Sequence, residues 1–547
     1  MADITGSHIL ARQLANEGVE DMFYLMGGPI IQAAGYVAEQ GIRTIDVRHE
    51  QAAAMAAHGY ARVKGTVGVC MAASGPATTN LLTGVANAYL DGIPLVALGG
   101  AASFNAHDQD EFQEYDQLTM AKPVSRWAGR VTHTYRMAEY INMAFRKAQS
   151  PKPGPAYLDL PGDTLYGKMD EDRVQYPRGN QRPFRASPDP RAISDAITML
   201  KGAKRPLIVT GTGIHFSGAS EELLEFIDTA RVPIYTTPQG RGVVPEDHEL
   251  SFLGSRSQAF KECDVLLAVG TRFNFVIGQG KPPRWDPDLK VIHVDIDGSE
   301  IGHNRAADIG IISDAKLALA ALTAEAKQQG FVTAVDWHAR LREADVDQRN
   351  KSLELAESDS IPIHPMRVMN EVAQSLDRDA VLCVDGNETL SFARQWIPSF
   401  VPGARINAGP NGCMGTGLPF ALGAQVAAPG RQVLALVGDG SFLMNVQEID
   451  TMVRHNLPIV IVVSNNGGWT GMANTVAGRS LGFNQKYEQI AEALGGYGQF
   501  VEKPDEIRPA IERAFASGRP SVVHVHVQEH ATATTASYGG YSSMQIR

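Results

Sequence analysis

One stretch in the last third of the chain, residues 433–469, restricts the fold more than any other. It begins with an apolar run and continues through a Gly-Asp-Gly turn, a segment with apolar residues at helical spacing, a second apolar run and an Asn-Asn turn. Short apolar runs of this kind are typical of buried parallel strands. The order therefore predicts a strand–helix–strand unit with both polar turns at the carboxyl edge of a parallel sheet, where open α/β folds bind ligands.

The two turns carry the groups that a divalent metal and a diphosphate require. Asp439 and Asn466 offer hard oxygen ligands, and the backbone carbonyl of Gly468 adds a third. Magnesium takes few protein ligands and completes its octahedron with phosphate oxygens and water. Gly438 and Gly440 allow the backbone to approach a phosphate closely. The pattern predicts a diphosphate held through a metal, whereas a lone Gly-Asp-Gly would indicate only an acidic turn in an ordinary α/β protein.

The spacing makes the combination specific. Asn466 stands 27 positions after Asp439, and this arrangement resembles the metal–diphosphate motif of thiamine diphosphate-dependent enzymes. The resemblance implies binding of thiamine diphosphate and Mg²⁺, with Asp439, Asn466 and Gly468 as metal ligands. It also implies cofactor contacts from the residues of the motif, which are Gly438, Asp439, Gly440, Ser441, Asn466, Gly468, Trp469 and Thr470. Trp469 is interpreted either as a wall of the substrate pocket or as a core residue.

Size and charge exclude several functional classes. With 547 residues the chain is too long for one hydrophobic core, and about three domains are expected. The net charge of −11 argues against nucleic acid or an anionic membrane as a partner. The four cysteines have no disulfide or metal-ligand spacing, which predicts free thiols in a reducing compartment. No signal peptide and no apolar stretch of about 20 residues is found, so a cytoplasmic location is expected.

Strands and helices alternate along the sequence, which predicts an α/β fold with three doubly wound parallel-sheet domains. Segments rich in proline and charge mark two linkers between them. The resemblance implies that the first domain binds the cofactor pyrimidine, that the central domain is Rossmann-like and that the third binds the diphosphate and the metal. The expected boundaries are 1–170 for the first domain, 171–190 for a linker, 191–335 for the central domain, 336–362 for a second linker, 363–530 for the third domain and 531–547 for a tail.

The first domain has a glutamate where a strand passes into an alanine-rich helix. An acidic residue is favoured in the first helical turn on electrostatic grounds, so Glu50 alone indicates little. The surrounding Arg-His-Glu-Gln-Ala-Ala-Ala-Met-Ala-Ala-His-Gly-Tyr-Ala-Arg, however, resembles the segment with the cofactor-activating glutamate of thiamine diphosphate enzymes. The resemblance implies that Glu50 hydrogen-bonds N1′ of the aminopyrimidine, so that the 4′ nitrogen removes the thiazolium C2 proton.

A charged loop in the same domain supplies two further candidate catalytic residues. Phe112 and Gln113 lie in a segment that resembles an active-site loop shared by acetolactate synthases and 2-hydroxyacyl-CoA lyases. Gln113 is expected to bind a substrate hydroxyl or an oxyanion, and Phe112 to supply an apolar wall. Related oxalyl-CoA decarboxylases tend to have Tyr-Glu at these positions, which disfavours that activity. Outside this resemblance, a charged run is typical of a solvated loop.

The central domain is interpreted in two ways. One strand ends in Gly211, and Arg272 begins an Arg-x-Asn-aromatic segment that is followed by Pro-Pro-Arg-Trp at 282–285. These pieces resemble 2-hydroxyacyl-CoA lyases and oxalyl-CoA decarboxylases, a group in which this domain can bind ADP. The resemblance implies that Arg272 contacts the phosphates and that Asp295 and Asp297, at a strand end, contact the ribose. The alternative is a Rossmann-like spacer with an empty crevice.

The third domain offers further cofactor contacts by resemblance. Asn387, in the turn after a strand, is a candidate diphosphate contact. The segment 409–419 matches one that supports the cofactor, which implies that Gly412 offers its carbonyl to the 4′-amino group and that Met414 bends the cofactor. The tail 531–547 is interpreted either as disordered or as a lid over a CoA thioester.

Together the resemblances predict a carbon–carbon lyase similar to 2-hydroxyacyl-CoA lyases. Such an enzyme breaks the C1–C2 bond of a 2-hydroxyacyl-CoA and yields formyl-CoA and an aldehyde or ketone, with the reverse condensation left open. Acetolactate synthase, which joins two 2-keto acids, is the nearest alternative because it shares Glu50, the 112–113 pair and the metal motif. Oxalyl-CoA decarboxylase and a non-catalytic relative are further alternatives. The family places its cofactor between subunits, which implies a homo-oligomer, dimer or tetramer, acting on an acyl-CoA.

Overall fold

The computed structural model describes residues 3–179, 184–469 and 478–533. These residues form three parallel sheets flanked by helices, together with a short antiparallel pair of Asp3–Thr5 and Lys168–Asp170. The prediction of an α/β fold with three doubly wound parallel-sheet domains is therefore confirmed. The domain boundaries stay a prediction, and the expected second linker contains most of the 22-residue helix Val335–Ala356.

The first and third sheets share one strand order. Each has six parallel strands, and the order across each sheet, counted along its own domain, is 2-1-3-4-6-5. The first sheet runs through Arg43–Asp46, Asp21–Tyr24, Gly68–Ala72, Leu95–Ala101, Pro155–Pro161 and Trp127–Arg130. The third runs through Arg405–Ile406, Val381–Asp385, Val433–Gly438, Val460–Asn465, Ser521–His526 and Tyr497–Val501. Both domains thus have a switch point beside their first strand, where a ligand crevice opens.

The central sheet has five parallel strands in the order 2-1-3-4-5. They are Ile234–Thr236, Pro206–Thr210, Val265–Val269, Lys290–Asp295 and Ile309–Ile312. The middle strand, Val265–Val269, is buried along its whole length because helices cover both faces of the sheet. Thr210, Val269 and Val294 lie in register, so the turns after these strands meet at one edge of the sheet.

Helices cover both faces of each sheet. Those of the first domain are Gly6–Asn16, Ile31–Glu39, Glu50–Lys64, Pro76–Asp91, Gln117–Ala121, Met137–Gln149 and Gly162–Tyr166. Those of the central domain are Pro190–Lys201, Thr212–Ser217, Ser220–Ala230, Arg256–Glu262 and Ala315–Gln329, followed by Val335–Ala356. Those of the third domain are Pro365–Ser375, Asn387–Trp396, Gly417–Ala427, Asp439–Met444, Glu448–Arg454, Tyr487–Ala493 and Ile507–Ala516.

The first and third domains meet where the helix Glu50–Lys64 packs on the helix Gly417–Ala427. A Cβ atom at Gly423 would stand 1.8 Å from the carbonyl oxygen of Ala56, so the two backbones touch here. Gly59 makes a similar approach from the other helix. The alanine-rich sequence of the Glu50–Lys64 helix allows this contact because small side chains let helices come close. One hydrophobic cluster runs from the first sheet through this contact into the third.

Replacement of Gly423 by alanine should therefore separate the two helices. We expect Gly423→Ala to lower the free energy of unfolding by about 3 kcal/mol, at the upper end of overpacking costs in buried cores. Urea titration followed by circular dichroism measures the change. Gly35→Ala is the matched control, because Gly35 lies in the exposed part of the helix Ile31–Glu39 with nothing near its absent Cβ. That variant should gain about 0.5–1 kcal/mol. Equal effects at both positions would contradict the proposed contact.

Candidate active site

A small pocket opens at the carboxyl edge of the third sheet. The strands Val381–Asp385, Val433–Gly438 and Val460–Asn465 lie side by side in register, so the turns that follow them meet. Most of the residues predicted to contact the cofactor line this pocket, namely Asn387, Met414, Gly438, Asp439, Gly440, Ser441, Asn466, Gly468 and Trp469. The sequence analysis missed Glu388 and Thr389, which also line it, although their position directly after a strand end is the signal that marks them.

The carboxyl group of Asp439 lies inside this pocket, and the residue is only 2% exposed. Its Oδ1 accepts a 2.9 Å hydrogen bond from the amide of Gly440, whereas its Oδ2 has no hydrogen-bond partner among the described residues. Burial raises the pKa of Asp439 to about 6, and nearby backbone amides oppose that rise. An unpartnered carboxylate oxygen is costly to bury, and a divalent cation would satisfy it. With Asn466 and Gly468 beside it, the donor set fits Mg²⁺.

The turn after Asn465 is fixed by hydrogen bonds on both sides of Gly467. The side-chain oxygen of Asn465 accepts a 2.9 Å hydrogen bond from the amide of Gly467. The carbonyl of Gly467 in turn accepts hydrogen bonds from the amides of Leu481 and Gly482. Gly467 has φ of +72°, a left-handed conformation that favours glycine. These contacts fix the orientation of the following residue, Gly468, whose carbonyl is the predicted metal ligand.

Trp469 lies over the start of the helix Asp439–Met444. A Cβ atom at Gly440 would stand 2.6 Å from the indole ring, so glycine is required at 440 by the tryptophan as well as by any phosphate. The side chain is 38% exposed and lines the pocket, which favours the interpretation of Trp469 as a pocket wall over a core residue. Thr470 lies outside the described residues, as does most of the tail. Ala531, at the start of that tail, lines the same pocket.

Gly412 lies apart from these residues. It has φ of +63°, in the turn that follows the short helix Gly409–Asn411. It is not among the described residues that line the third-domain pocket, although Met414, two positions later, is. The turn is anchored to the first domain, because the side-chain amide of Asn411 donates a 3.2 Å hydrogen bond to Asn87. The predicted role of the Gly412 carbonyl stays a prediction.

Two predicted catalytic residues lie near the beginning of one helix of the first domain. Glu50 is half-buried, and its Oε2 accepts a 3.0 Å hydrogen bond from Asn80 in the helix Pro76–Asp91. Gln113 accepts a 2.8 Å hydrogen bond from the hydroxyl of Ser74, two residues before that helix begins. Its φ of +59° is uncommon outside glycine and is a recurrent feature of functional loops. The neighbouring Phe112 is 79% exposed.

The structure does not bring the two groups of predicted residues together within one chain. Glu50, Phe112 and Gln113 are absent from the described residues that line the third-domain pocket. Glu50 and Asp439 therefore do not line one common pocket within the described part of the chain. Sequence reasoning gives no distance between them, because they lie in different domains.

A buried glutamate that the sequence analysis missed supports the chain just before Glu50. Glu448 is fully buried, and its two carboxyl oxygens accept 3.1 and 3.2 Å hydrogen bonds from the amide of Arg48. The hydroxyl of Thr451 donates a third, at 2.8 Å. Burial raises the pKa of Glu448 to about 7, against these hydrogen bonds. No local pattern marks this residue, because its partner is in another domain.

A larger cavity of about 740 Å³ lies between the first and central domains, and third-domain residues, Arg394 among them, also line it. Three of the four residues predicted to contact a nucleotide line it, namely Gly211, Arg272 and Asp295. Burial raises the pKa of Asp295 to about 6. Asp297, the fourth, is not among the described lining residues, and its carboxylate lies 3.5 Å from the ammonium group of Lys152. Lys152 itself lines the cavity and also pairs with Glu300, so it joins the first domain to the central one.

Three parallel-sheet domains, with a phosphate-sized pocket at a glycine-rich strand end, define a class of cofactor-binding enzymes. Comparison with protein families identifies which one. Residues 4–120 match the N-terminal TPP binding domain of thiamine pyrophosphate enzymes, 193–322 match their central domain and 386–525 match their C-terminal TPP binding domain. Thiamine pyrophosphate (TPP) is another name for thiamine diphosphate. The chain therefore belongs to the thiamine diphosphate-dependent enzyme family.

Relatives with different printed activities resemble the whole chain. A probable acetolactate synthase of Mycobacterium bovis is 36% identical over 94% of both chains. A 2-hydroxyacyl-CoA lyase of Arabidopsis thaliana is 33% identical over 97% of this chain and 96% of its own. An oxalyl-CoA decarboxylase of Escherichia coli is 32% identical over 96% of this chain and 95% of its own. Among the described helices, none is long and apolar enough to cross a membrane.

The pKa of Glu448 predicts how stability changes with pH. A carboxyl group with a raised pKa favours folding below its unfolded pKa, and that contribution is lost as the pH rises from about 4.5 through about 7. Glu448→Gln has no carboxyl group to ionise, so it avoids this loss of stability. We expect its thermal midpoint, relative to the parent, to be higher at pH 8 than at pH 5.

Asp450→Asn, on the same helix, is the matched control. Burial raises the pKa of Asp450, but hydrogen bonds from Arg48 and Arg454 outweigh that effect and lower it below the usual 3.8. The stability that Asp450 contributes is therefore present at both pH 5 and pH 8, and Asp450→Asn should lose a similar amount at each. If Glu448→Gln likewise shows no difference between pH 5 and pH 8, Glu448 does not have the environment described.

Proposed function

We propose that the chain is a carbon–carbon lyase that uses thiamine diphosphate and Mg²⁺ to cleave a 2-hydroxyacyl-CoA into formyl-CoA and an aldehyde or ketone. The sequence supports this through the segment from Arg272 to Trp285, which resembles enzymes that use CoA thioesters. The observation that carries the proposal is a group of arginines at the boundary between the central and third domains, where Arg241 and Arg405 both donate to the carbonyl of Ile397. We refer to them as the arginine cluster, and they are Arg241, Arg256, Arg284, Arg394 and Arg405.

The arginine cluster concentrates positive charge in a region that is partly shielded from solvent. Burial, together with repulsion from Arg284, Arg394 and Arg241, lowers the pKa of Arg256 to about 10. Glu246 neutralises Arg241 through a 2.6 Å hydrogen bond, and Arg241 is buried with it. Guanidinium groups held near each other are stabilised by an anion with several charged oxygens, and phosphates fit that description. A 2-keto acid offers one carboxylate, whereas CoA offers three phosphate groups.

One helix connects the cluster with the candidate metal pocket. Asn387, at the first position of the helix Asn387–Trp396, lines that pocket, and Arg394 is near its last turn. Seven residues of helix correspond to about 10 Å. CoA carries its phosphates and its thioester at opposite ends of a flexible arm, so its phosphates can bind the cluster while the thioester reaches the pocket.

The residues of the third-domain pocket are assigned to the cofactor and the metal. Asp439, Asn466 and the Gly468 carbonyl would hold Mg²⁺, and Gly438 would let a diphosphate approach. The other predicted contacts there are Asn387, Gly412, Met414, Gly440, Ser441, Trp469 and Thr470. Thiamine diphosphate, when bound, supplies a carbon nucleophile and an electron sink for the bond that breaks.

Residues of the first domain are assigned to proton handling. Glu50 would hold a proton at N1′ of the aminopyrimidine. Gln113, a neutral donor, would bind the oxygen on which charge develops without opposing it. Phe112 would cover the reacting carbon and exclude water.

A second copy of the chain would complete the site. Glu50 does not line the pocket that contains Asp439, so we assign the two residues to different half-sites and propose a homodimer, or a tetramer of two such dimers. Exposed apolar side chains in both domains support this, because exposed apolar surface is common at interaction sites. They are Met26, Ile31, Phe104, Phe112, Tyr115 and Met120 in the first domain and Leu443, Met444 and Trp469 in the third.

The 740 Å³ cavity is proposed as an adenine nucleotide site, with ADP as the candidate ligand. Arg272 would contact its phosphates, Gly211 would allow close approach, and Asp295 would bind its ribose. Asp297 would act indirectly, since it faces Lys152 at the edge of the cavity. The alternative remains a spacer domain whose crevice binds nothing.

The first test is a mass-spectrometric assay with thiamine diphosphate and Mg²⁺. We would offer 2-hydroxyisobutyryl-CoA, mandelyl-CoA, oxalyl-CoA and pyruvate in parallel, and we expect formyl-CoA with acetone or benzaldehyde. Acetolactate from pyruvate alone would establish the synthase alternative, and formyl-CoA from oxalyl-CoA alone would establish the decarboxylase alternative.

The same assay tests the role of Glu50. Glu50→Gln should retain cofactor binding and lose most turnover. Unchanged turnover in this variant would refute the role proposed for Glu50.

The arginine cluster has a separate test. Arg256→Gln should raise the KM for a 2-hydroxyacyl-CoA by 10- to 100-fold, because a charge-assisted hydrogen bond contributes roughly 1.5–3 kcal/mol. With the matching pantetheine thioester, which lacks the nucleotide, the same variant should behave like the parent. Arg340→Gln is the control, since Arg340 is exposed and pairs only with Glu262 among its described ion pairs. An equal loss with both thioesters would mean that the cluster does not bind phosphates.

A further inference from the structure

A buried histidine lies behind the metal-binding turn. His524, in the strand Ser521–His526, is 0% exposed and neighbours the strand that ends in Asn465. Its Nε2 lies 2.9 Å from the side-chain nitrogen of Asn465. Its Nδ1 lies 2.8 Å from a carboxyl oxygen of Glu488, a residue that is itself 7% exposed. These three buried side chains form one continuous chain of hydrogen bonds.

The direction of every hydrogen bond in this chain follows from one backbone amide. The amide of Gly467 can only donate, so the side-chain oxygen of Asn465 must face it. The Asn465 NH₂ group therefore points at His524, whose Nε2 must accept. The proton of the neutral ring is then on Nδ1 and is donated to Glu488. Burial lowers the pKa of His524, which favours this neutral form, although Glu488 opposes the effect.

We infer that His524 is a positioning residue for the metal site, acting through Asn465 on the turn that carries Asn466 and Gly468. The inference rests on the proposed metal site. The side-chain oxygen of Asn465 accepts from the Gly467 amide, so its orientation determines the orientation of the peptide that joins Asn466 to Gly467. A rotated Asn465 amide would present NH₂ to the Gly467 amide and release the turn. His524, supported by Glu488, prevents that rotation.

The aromatic surroundings keep the histidine in place. The rings of Tyr487, Phe500 and His526 lie 4.9, 5.0 and 5.2 Å from that of His524, measured between centroids. Phe483 contacts both His526 and the turn, where a Cβ at Gly467 would stand 2.6 Å from its ring. The imidazole therefore has little freedom to turn away from Asn465.

Two variants separate positioning from bulk packing. His524→Gln places an amide oxygen near the former Nε2 and can still accept from Asn465. His524→Asn is shorter and places its amide near the former Nδ1, so it keeps the contact with Glu488 and loses the contact with Asn465.

Metal affinity is measured without turnover, as the loss of the free Mn²⁺ electron paramagnetic resonance signal in the presence of thiamine diphosphate. We expect His524→Asn to weaken Mn²⁺ binding by 10- to 100-fold, as for other residues that orient ligands. His524→Gln should stay within about threefold of the parent, a change too small to reflect a lost orienting contact.

A second set of variants, made in a chain that carries Asn465→Ser, keeps the test decisive even if one His524 variant folds poorly. Asn465→Ser keeps a hydroxyl near Gly467 but loses the donor to His524, so adding His524→Asn should then cost nothing further. Additive losses, or equal losses in His524→Asn and His524→Gln, would overturn the inference. If the parent itself binds no Mn²⁺ with the cofactor, the proposed metal site is wrong. A parent that binds and variants that bind equally well would refute only the role of His524.

Discussion

The packing of the helix Glu50–Lys64 on the helix Gly417–Ala427 is the contact on which the arrangement of the active-site groups depends. Two glycines bring the backbones into contact, and interiors packed at such density do not deform continuously. The first and third domains are therefore held in one relation, with Glu50 outside the pocket that contains Asp439. Because one chain does not bring both residues to one pocket, the proposed active site includes a second copy of the chain.

Ionisable groups are buried at the functional edges of the sheets. Burial raises the pKa values of Asp439, Asp295 and Glu448, and each has hydrogen bonds that stabilise its charged form. Such groups reduce the stability of the fold at neutral pH, so a contribution to stability does not explain why they are buried. Their contacts give the explanation. Asp439 has an oxygen free for a cation, Asp295 lines a nucleotide-sized cavity, and Glu448 holds the backbone that leads to Glu50.

The relatives have different printed activities, and the substrate therefore has to be argued from other parts of the chain than the cofactor site. In their proposed roles, Glu50, Asp439 and Asn466 would support any thiamine diphosphate chemistry equally. The arginine cluster is instead proposed to bind the substrate, because neighbouring guanidinium groups suit a ligand with several phosphates. Its place at the far end of the helix Asn387–Trp396 suits a substrate whose charged group is distant from its reacting carbon. A CoA thioester has that form.

The sequence by itself determined the three parallel-sheet domains and identified many of the residues that line the third-domain pocket. Both depend on local order, because a strand, a turn and a helix fix where Asp439 and Asn466 lie within one strand–helix–strand unit. Tertiary structure decided the rest. Arg48 and Glu448 are 400 positions apart, and His524 reaches Asn465 across 59 positions, so no local pattern announces either contact. The separation of Glu50 from the pocket and the assembly of the arginine cluster were likewise decided by the packing of whole domains.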